Sequence, residues 1–233
     1  MCQDCGCGDT NVVPINVKTR ILARNDDVAM HNREHFRRRG IFAVNLMGSP
    51  GSGKTAILEA TARVGGASRL AAIAGDLATD RDAMRLLRAG IRAVPIETDQ
   101  ACHLDAEMVH RELHDLSLGG VETLFIENVG NLVCPAVYDL GQNVNVVTLS
   151  VTEGEDKPLK YPTMFARADL VLLTKVDLLP HLGITVHSIY DALGRVMPVP
   201  QVIALSSLDD DAVAVWLEWL AHRRAAALEE LPA

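Results

Sequence analysis

Apolar and polar positions alternate along most of this chain in a way that predicts short buried strands separated by amphipathic helices. Strands are predicted at the apolar runs 41–47, 70–74, 93–96, 121–126, 144–151, 170–173 and 199–205. Helices are predicted at 26–39, 55–63, 79–89, 103–116 and 209–227. This alternation is typical of an α/β fold with a doubly wound, mainly parallel sheet. Ligands in such sheets lie at the carboxyl ends of the strands, so the residues that follow each strand are the first candidates for function.

A glycine-rich turn follows the first predicted strand and matches the phosphate-binding pattern G-x-x-x-x-G-K-[ST]. Its glycines allow a tight turn that brings backbone N–H groups against phosphate oxygens. Lys54 is expected to reach the β and γ phosphates, and the Thr55 hydroxyl is expected to ligate Mg²⁺. A strand before the turn and a helix after it favour this interpretation over a flexible Gly/Ser loop. The predicted nucleotide-binding residues here are Gly48, Ser49, Gly51, Ser52, Gly53, Lys54 and Thr55.

Acidic residues and a glycine follow two more of the predicted strands. Asp76 follows the second strand and Glu127 the fourth, and carboxylates at these positions would hold Mg²⁺. Asp80 has two interpretations, either a group that faces the metal or a first-turn acid that favours the helix dipole. The Gly130 N–H is expected to sense the γ-phosphate, and its backbone freedom would let the segment move on hydrolysis. The predicted catalytic residues are Lys54, Asp76 and Gly130, and the predicted Mg²⁺ ligands are Thr55, Asp76 and Glu127.

The stretch after the sixth strand, Thr174-Lys175-Val176-Asp177, resembles the guanine-recognition element N-K-x-D. Asp177 would accept hydrogen bonds from N1–H and the 2-amino group of guanine. Adenine lacks that amino group and would leave the carboxylate unpaired, at a cost of about 1–3 kcal/mol. The Lys175 stem would lie over the purine, and Thr174 stands where the element has asparagine. Ser206, after the last strand, is predicted to lie beside the base, so GTP and GDP are the expected nucleotides.

Composition and charge limit the possible partners. The chain is 48% apolar but only 4% aromatic, which suits a core of aliphatic side chains in stacked α/β layers. A net charge of −8 without a basic stripe argues against nucleic acid as a partner. No apolar run approaches the roughly 18 residues that span a bilayer, and no secretory signal precedes the first helix. The expected compartment is the cytoplasm, where the five cysteines are better explained as metal ligands or reactive thiols than as disulfides.

Three of the cysteines, Cys2, Cys5 and Cys7, lie together with two glycines at the start of the chain. Their thiolates are expected to fold around one metal ion. A fourth ligand from the terminal amine or a backbone nitrogen would favour square-planar Ni²⁺. Zn²⁺ would take the same sulfurs in a tetrahedron. The remaining interpretation is a redox-sensitive tail that holds no metal.

The other two cysteines follow strands on the nucleotide side of the sheet. Cys102 and His103 lie near the start of a predicted helix, and Cys134 lies four residues beyond Gly130. Two thiolates and an imidazole suit Ni²⁺ or Zn²⁺. The alternative is that these cysteines are small buried hydrophobic residues. If the three side chains share an ion, the loop that senses the nucleotide also holds the metal, and hydrolysis is coupled to metal release.

Several of these strings together resemble the HypB family, the nickel-inserting GTPases of [NiFe]-hydrogenase maturation. That family belongs to the SIMIBI class, the signal-recognition-particle-like branch of P-loop NTPases. The resemblance runs nearly from end to end and is carried by the cysteine leader and by the strings 45–55, 75–83, 102–105, 127–135 and 174–177. Their joint occurrence is far more specific than the phosphate loop alone.

The resemblance implies slow, Mg²⁺-dependent GTP hydrolysis and a homodimer that forms with GTP. It also implies a nickel site in the leader and a nickel or zinc site at the dimer interface. The implied ligands are Cys2, Cys5 and Cys7 in the leader and Cys102, His103 and Cys134 in the GTPase domain. A lysine beyond the fifth strand, Lys157 or Lys160, would reach the nucleotide of the facing subunit. The implied partners are a small nickel-binding accessory protein similar to HypA and the hydrogenase large-subunit precursor.

The sequence therefore predicts a GTPase that binds nickel and delivers it to the hydrogenase precursor, with nucleotide state controlling dimerisation and metal affinity. Residues 1–25 are predicted to form a flexible leader and linker. Residues 26–233, beginning with a helix capped by Asn25 or Asp26, are predicted to form the GTPase domain. The alternatives are a nickel GTPase that serves another enzyme such as urease, and a metal storage or sensing module with negligible turnover. No histidine-rich tract lies in residues 8–40, so bulk nickel storage is not expected.

Overall fold

The computed structural model describes residues 15–77, 79–98 and 101–229, so the cysteine leader lies outside the described residues. The strands are β1 Phe42–Gly48, β2 Leu70–Asp76, β3 Arg92–Glu97, β4 Thr123–Glu127, β5 Val144–Ser150, β6 Leu170–Thr174 and β7 Val202–Ala204. The helices are α1 Ile15–Arg39, α2 Lys54–Gly65, α3 Arg81–Arg88, α4 Ala106–Glu112, α5 Lys157–Lys160, α6 Pro162–Ala166, α7 Val186–Gly194 and α8 Asp210–Glu229. Short 3-10 helices lie at Cys134–Ala136, Val151–Glu153 and Val176–His181.

The strands of the described residues form one parallel sheet of seven, in the order β3-β2-β4-β1-β5-β6-β7. The central strand β1 lies between β4 and β5. Strands β2, β3 and β4 lie on one side of it, and β5, β6 and β7 lie on the other. A crevice opens where the strand order reverses, at the carboxyl end of β1. The phosphate loop predicted from the sequence follows β1 and therefore lies at this crevice.

The side chains of β1 alternate between two apolar cores. Phe42, Val44 and Leu46 pack on the face that α2, α3 and α8 cover, whereas Ala43 packs on the face that α1 and α4 cover. All residues of β1 are buried, because helices cover both faces of the sheet. This two-sided burial explains why the strand is almost continuously apolar. The predicted doubly wound, parallel α/β fold is confirmed.

Helix α1 begins at Ile15, so the predicted helix start at residue 26 and the predicted cap at Asn25 or Asp26 are wrong. The buried positions recur at helical spacing and form one face of the helix; they are Asn25, Ala29, Asn32 and Phe36. Asn25 joins two other segments instead of capping a helix. Its Nδ2 donates to the Asp139 carbonyl, and its Oδ1 accepts from the Ala106 N–H. The division of the chain into a leader and a GTPase domain stays a prediction.

Other boundaries also differ from the sequence-based expectation. Helix α4 begins at Ala106 rather than near residue 103, since the Asp105 side chain caps it by accepting from the Met108 N–H. The short helices α5, α6 and α7 were not predicted, and α5 and α6 each carry a proline in their first turn, a position where proline is tolerated. Among the described residues, no helix combines the length and the apolar character needed to cross a membrane.

Candidate nucleotide and metal site

The turn after β1 has the geometry of a phosphate-binding loop. Gly51 and Gly53 have φ of 74° and 101°, in the left-handed region that glycine tolerates. Gly53 is the N-cap of α2, so the positive end of that helix faces the loop. The Lys54 ammonium donates to the carbonyl oxygens of Gly48 at 3.5 Å and Ser49 at 3.3 Å. These bonds hold the lysine along the inside of the loop, where a phosphate would meet it.

The Thr55 hydroxyl lies between two carboxylates. Its Oγ1 is 2.7 Å from Oε1 of Glu127 and 3.0 Å from Oδ1 of Asp82. Burial raises the pKa of Glu127 to about 7, against the opposing effect of the Lys54 charge. The second Glu127 oxygen, Oε2, is buried without a hydrogen-bond partner among the described residues. Carboxylate and hydroxyl oxygens are the hard ligands that Mg²⁺ prefers, so these side chains fit the predicted magnesium site.

The loops after β2 and β3 are hydrogen-bonded to each other at Asp76. Its carboxylate accepts from the Leu77 N–H at 2.7 Å and from the Thr79 hydroxyl. Its backbone carbonyl accepts from the Thr98 N–H at 3.0 Å. The Thr98 hydroxyl in turn donates to the Ala101 carbonyl at 2.6 Å. The predicted catalytic Asp76 is therefore connected to the segment that leads into Cys102.

Asp82 is a site residue that the sequence analysis missed. Asp80 was considered as a group facing the metal, but it lies at the N-cap position of α3. The structure places Asp82, in the first turn of the helix, beside Thr55 instead. The sequence signal was that Asp80 and Asp82 both follow the end of β2 closely. Helical spacing alone does not show which of these two carboxylates faces α2.

The predicted guanine element follows β6 and lies against the phosphate loop. The Thr174 hydroxyl donates to the Ser52 carbonyl at 2.6 Å, and the Lys175 ammonium donates to the Gly51 carbonyl at 2.7 Å. Lys175 has a φ of 58°, a conformation uncommon outside glycine. Asp177 is exposed at the start of the following 3-10 helix. Thr174 thus contacts the phosphate loop although it is not asparagine, and the carboxylate that would read guanine is accessible.

A cavity of about 420 Å³ opens between the phosphate loop, the acidic side chains and the segment after β4. The predicted site residues that line it are Gly51, Gly53, Lys54, Thr55, Asp76, Glu127 and Gly130. Ser206 is buried, and its Oγ accepts from the Leu208 N–H at 3.3 Å within its own loop. Its proximity to a guanine base stays a prediction.

Cys102, His103 and Cys134 come together although 32 positions separate the two cysteines. One ligand atom from each residue lies within 4.8 Å of the others. The two Sγ atoms are 2.9 Å apart, and the Cys102 Sγ is 3.9 Å from the His103 Nδ1. The imidazole stacks on Tyr138 with 3.9 Å between ring centroids. Burial lowers the pKa of His103 despite the nearby Asp105, which favours the neutral imidazole that metals bind.

The segment after β4 connects the phosphate loop to Cys134. A Cβ atom at Gly130 would lie 2.8 Å from the Pro50 Cγ and 2.9 Å from the Pro50 nitrogen, so only glycine allows this approach. The next residue, Asn131, donates its N–H to the Gly48 carbonyl at 3.1 Å. Cys134 follows three residues later and begins a 3-10 helix. A short piece of backbone therefore joins the phosphate loop to the Cys134 thiol.

Asn128, in the segment after β4, also contacts the loop that carries Cys102 and His103. Its Oδ1 accepts from the Leu104 N–H at 3.1 Å, and its Nδ2 donates to the Asn45 Oδ1 at 3.1 Å. Asn45 in turn donates to the Asn145 Oδ1 at 3.0 Å, so a row of amides crosses β4, β1 and β5. The sequence pattern alone did not predict a role for Asn45 or Asn128. A polar residue inside an apolar strand was the available signal, because a buried amide requires partners.

We expect the Mg²⁺-dependent part of nucleotide affinity to rise with pH through about 7, because Glu127 must lose its proton before it can bind the ion. Below that pKa, the affinity should fall by up to about tenfold per pH unit. GDP titrations with Mg²⁺ and with EDTA at pH 6, 7 and 8 would measure this difference. In Glu127→Gln the affinity for GDP in Mg²⁺ should vary less with pH, and the remaining variation should be that of the nucleotide itself. Equal slopes in the two proteins would contradict the assignment of Glu127.

Fold and site together define a P-loop nucleotide-binding protein. The family model described as CobW/HypB/UreG, nucleotide-binding domain, matches residues 42–203. The hydrogenase maturation factor HypB of Rhizobium leguminosarum bv. viciae is 50% identical over 216 residues, which cover 91% of this chain and 72% of that protein. The chain belongs to the HypB family of hydrogenase maturation factors and is a P-loop GTPase.

Further relatives support the same assignment. The crystal structure of HypB from Helicobacter pylori in complex with nickel matches with a TM-score of 0.83 and 36% identity, over 90% of this chain and 99% of that one. The hydrogenase/urease maturation factor HypB of Helicobacter hepaticus is 39% identical over 219 residues, covering 92% of this chain and 90% of that protein. The signal recognition particle 54 kDa protein of Aeropyrum pernix K1 in complex with GDP shares the fold, with a TM-score of 0.53 at 17% identity over 80% of this chain and 49% of that one. The predicted family and the SIMIBI-class fold are confirmed.

Proposed function

We propose that this chain is a GTP-hydrolysing metallochaperone that binds nickel and delivers it to the [NiFe]-hydrogenase large-subunit precursor. The observation that carries the proposal is the meeting of Cys102, His103 and Cys134 at the end of a segment that also contacts the phosphate loop. Thiolates and an imidazole suit nickel, and the nickel complex of the Helicobacter pylori relative supports nickel as the cargo. Zn²⁺ accepts the same donors and is the second ion that we expect to bind.

The chemistry of hydrolysis follows from the groups around the cavity. Water attacks the γ-phosphorus of GTP, and the bond to the β-phosphate oxygen breaks to release GDP and phosphate. Lys54 offsets the negative charge on the transferring phosphoryl group, the Gly130 N–H faces its oxygens, and Asp76 positions the water. Thr55, Glu127 and Asp76 would hold Mg²⁺, with Asp82 close by, and the ion would neutralise phosphate charge when bound. We expect slow turnover. These groups position the water and stabilise the phosphoryl charge, but none of them is a strong base that would take the proton of the attacking water.

Nucleotide state would control the metal through the backbone between Gly130 and Cys134. With GTP bound, the third phosphate would accept a hydrogen bond from the Gly130 N–H, beside Pro50. After hydrolysis this contact relaxes, and the Cys134 thiol changes its position relative to Cys102 and His103. Thiolate–metal bonds depend on the distance and direction of each donor, so this movement changes the affinity for nickel. The metal is then held in one nucleotide state and released in the other.

A homodimer that forms with GTP would cover the surface beside Cys134 and Asp76. Val133, next to Cys134, is 57% exposed, and Leu77, after Asp76, is 43% exposed. Such apolar side chains beside a ligand site are surfaces that a second subunit can bury. Of the two lysines considered to act across the dimer, Lys157 is the better candidate. It pairs with Glu153 at 3.5 Å, and the charge of Glu153 also acts on Lys54 of the phosphate loop.

The remaining parts of the proposal concern the leader and the partners. Cys2, Cys5 and Cys7 would hold a nickel ion apart from the site of the GTPase domain. A small accessory protein similar to HypA would exchange nickel with the chain before the precursor receives it. We place these events in the cytoplasm.

A transfer assay tests this function. We expect the nickel-loaded chain to pass nickel to the nickel-free hydrogenase precursor in the presence of GTP, and about tenfold less to pass from Cys134→Ala. The nickel retained by the separated precursor is the measured quantity. Nickel-free urease serves as the comparison, because the Helicobacter hepaticus relative is a hydrogenase/urease maturation factor. If nickel passed to urease and not to the hydrogenase precursor, the proposed recipient would be wrong and urease would take its place.

A further inference from the structure

Four histidines lie on the facing sides of α1 and α4, in a place the proposed function does not use. His31 and His35 are four residues apart on α1, and His110 and His114 are four residues apart in and just after α4. Side chains at this spacing lie on the same side of a helix and can bind one ion together. A cavity of about 720 Å³ between the helices is lined by three of the histidines together with Val28, Glu34, Arg38, Arg39 and Glu107.

The hydrogen bonds of Asn32 determine which nitrogen of His110 is available. The Asn32 Nδ2 donates to the carbonyl oxygens of Ala106 at 2.9 Å and Leu140 at 3.2 Å. Its Oδ1 must then be the acceptor in the 2.9 Å contact with the His110 Nδ1. His110 therefore carries its proton on Nδ1 and presents the lone pair of Nε2. Metal-binding histidines are commonly oriented in this way by a carbonyl oxygen behind the ring.

His35 presents a second nitrogen without a partner. Its Nε2 is buried and has no hydrogen-bond partner among the described residues. A buried polar atom in this state is costly unless a ligand satisfies it. Burial lowers the pKa of His35, and the charges of Arg39, His110 and His114 lower it further. The neutral imidazole of His35 is thus favoured. The neighbouring rings of His110 and His114 pack edge to face, with 5.3 Å between their centroids.

We propose that His35 and His110 bind a divalent transition metal ion, Ni²⁺ or Zn²⁺, between α1 and α4, with His31 or His114 as a further ligand. Imidazole nitrogens are good ligands for both ions. Within the described part of the chain, only the Cys102 group has three ligand atoms within 4.8 Å. With His110 held by Asn32, the other imidazoles would have to turn toward its Nε2 to share an ion. The site therefore binds more weakly than the thiolate site, and the guanidinium groups of Arg38 and Arg39 weaken it further.

Such an ion would join α1 to α4, the helix that follows the Cys102–His103 loop in the chain. This inference is independent of the proposed function, because neither GTP turnover nor the thiolate site uses these histidines. A failure of the histidine site would leave nickel binding at Cys134 unchanged.

Equilibrium dialysis of the full chain against Ni²⁺ and Zn²⁺ tests the proposal. The double variant His35→Gln/His110→Gln should bind about one ion fewer per chain than the wild type. A matched double variant, His181→Gln/His187→Gln, removes two exposed histidines elsewhere and should lose none. Equal stoichiometry in the two double variants would overturn the proposal.

A second measurement on the wild type avoids any effect of the substitutions on folding. Diethyl pyrocarbonate modifies imidazole nitrogens that carry a lone pair, and mass spectrometry of peptides assigns each modified residue. We expect Ni²⁺ to slow the modification of His35 and His110 by about tenfold relative to His181 and His187. Equal rates with and without Ni²⁺ at His35 and His110 would exclude the site.

Discussion

Replacing Cys134 with alanine is expected to weaken nickel binding by the GTPase domain by at least about 100-fold, since even changes behind a ligand cost 10- to 100-fold. The Cys134 Sγ lies 2.9 Å from the Cys102 Sγ, and the group of three ligand atoms is complete only with it. Removing the thiolate leaves one sulfur and one imidazole, which is too few for a structural or holding site. Nickel dialysis of the full chain with Cys2, Cys5 and Cys7 changed to serine isolates this domain.

The leader provides the control for this substitution. In a chain with an intact leader, Cys134→Ala should retain the nickel bound by Cys2, Cys5 and Cys7 while the affinity of the GTPase domain falls. Far-ultraviolet circular dichroism would verify that the fold is kept, since Cys134 lies in a short 3-10 turn rather than in the core. Unchanged nickel affinity in the leader-serine background would mean that Cys134 is not a ligand.

Replacing Lys54 with alanine is expected to lower GTP turnover by about 100- to 1,000-fold, the range found when one charge-stabilising donor is removed from a transition state. The Lys54 ammonium is buried inside the loop and contacts the Gly48 and Ser49 carbonyls, where it would meet the phosphates. Phosphate release at saturating GTP and Mg²⁺ measures the change. Nickel binding without nucleotide should be unaffected.

The same experiment separates the metallochaperone from a storage or sensing module. A chaperone driven by hydrolysis requires turnover that depends on Lys54, with or without its partners. If the wild type and Lys54→Ala release phosphate at the same negligible rate in the presence of the hydrogenase precursor, the nucleotide acts only as a regulator. The sensing module would then be the better account of the chain.

The parts of the fold that the sequence predicts well are those set by local pattern. The strand before the phosphate loop is apolar because both of its faces are covered, and the glycines of the loop occur where the backbone needs positive φ. The start of α1 depends instead on distant partners. The residues before Asn25 resemble a linker because of Pro14, whereas Asn25 itself contacts Ala106 and Asp139, two partners distant in the sequence.

The site residues also fall into those that local sequence pattern predicts and those that depend on distant contacts. Lys54, Thr55 and Glu127 follow strands or loops whose positions in a parallel sheet are known from topology, so their convergence was predictable. The choice of Asp82 over Asp80 depends on how α3 packs against α2, which spacing along one helix does not determine. The meeting of Cys102 with Cys134 was proposed from strand ends alone. The amide row through Asn128 and Asn45 that supports it depends on side-chain partners that no local pattern reveals.

The central claim is that the phosphate loop and the Cys134 thiol are coupled through the backbone that begins at Gly130. Titration of nickel into the metal-free chain, with the leader cysteines changed to serine, tests it most directly when done with GDP and with a non-hydrolysable GTP analogue. Coupling of 1–3 kcal/mol predicts nickel affinities that differ about 5- to 150-fold between the two nucleotides. Nickel must change the ratio of analogue affinity to GDP affinity by the same factor. Equal nickel affinity in both nucleotide states would contradict the account.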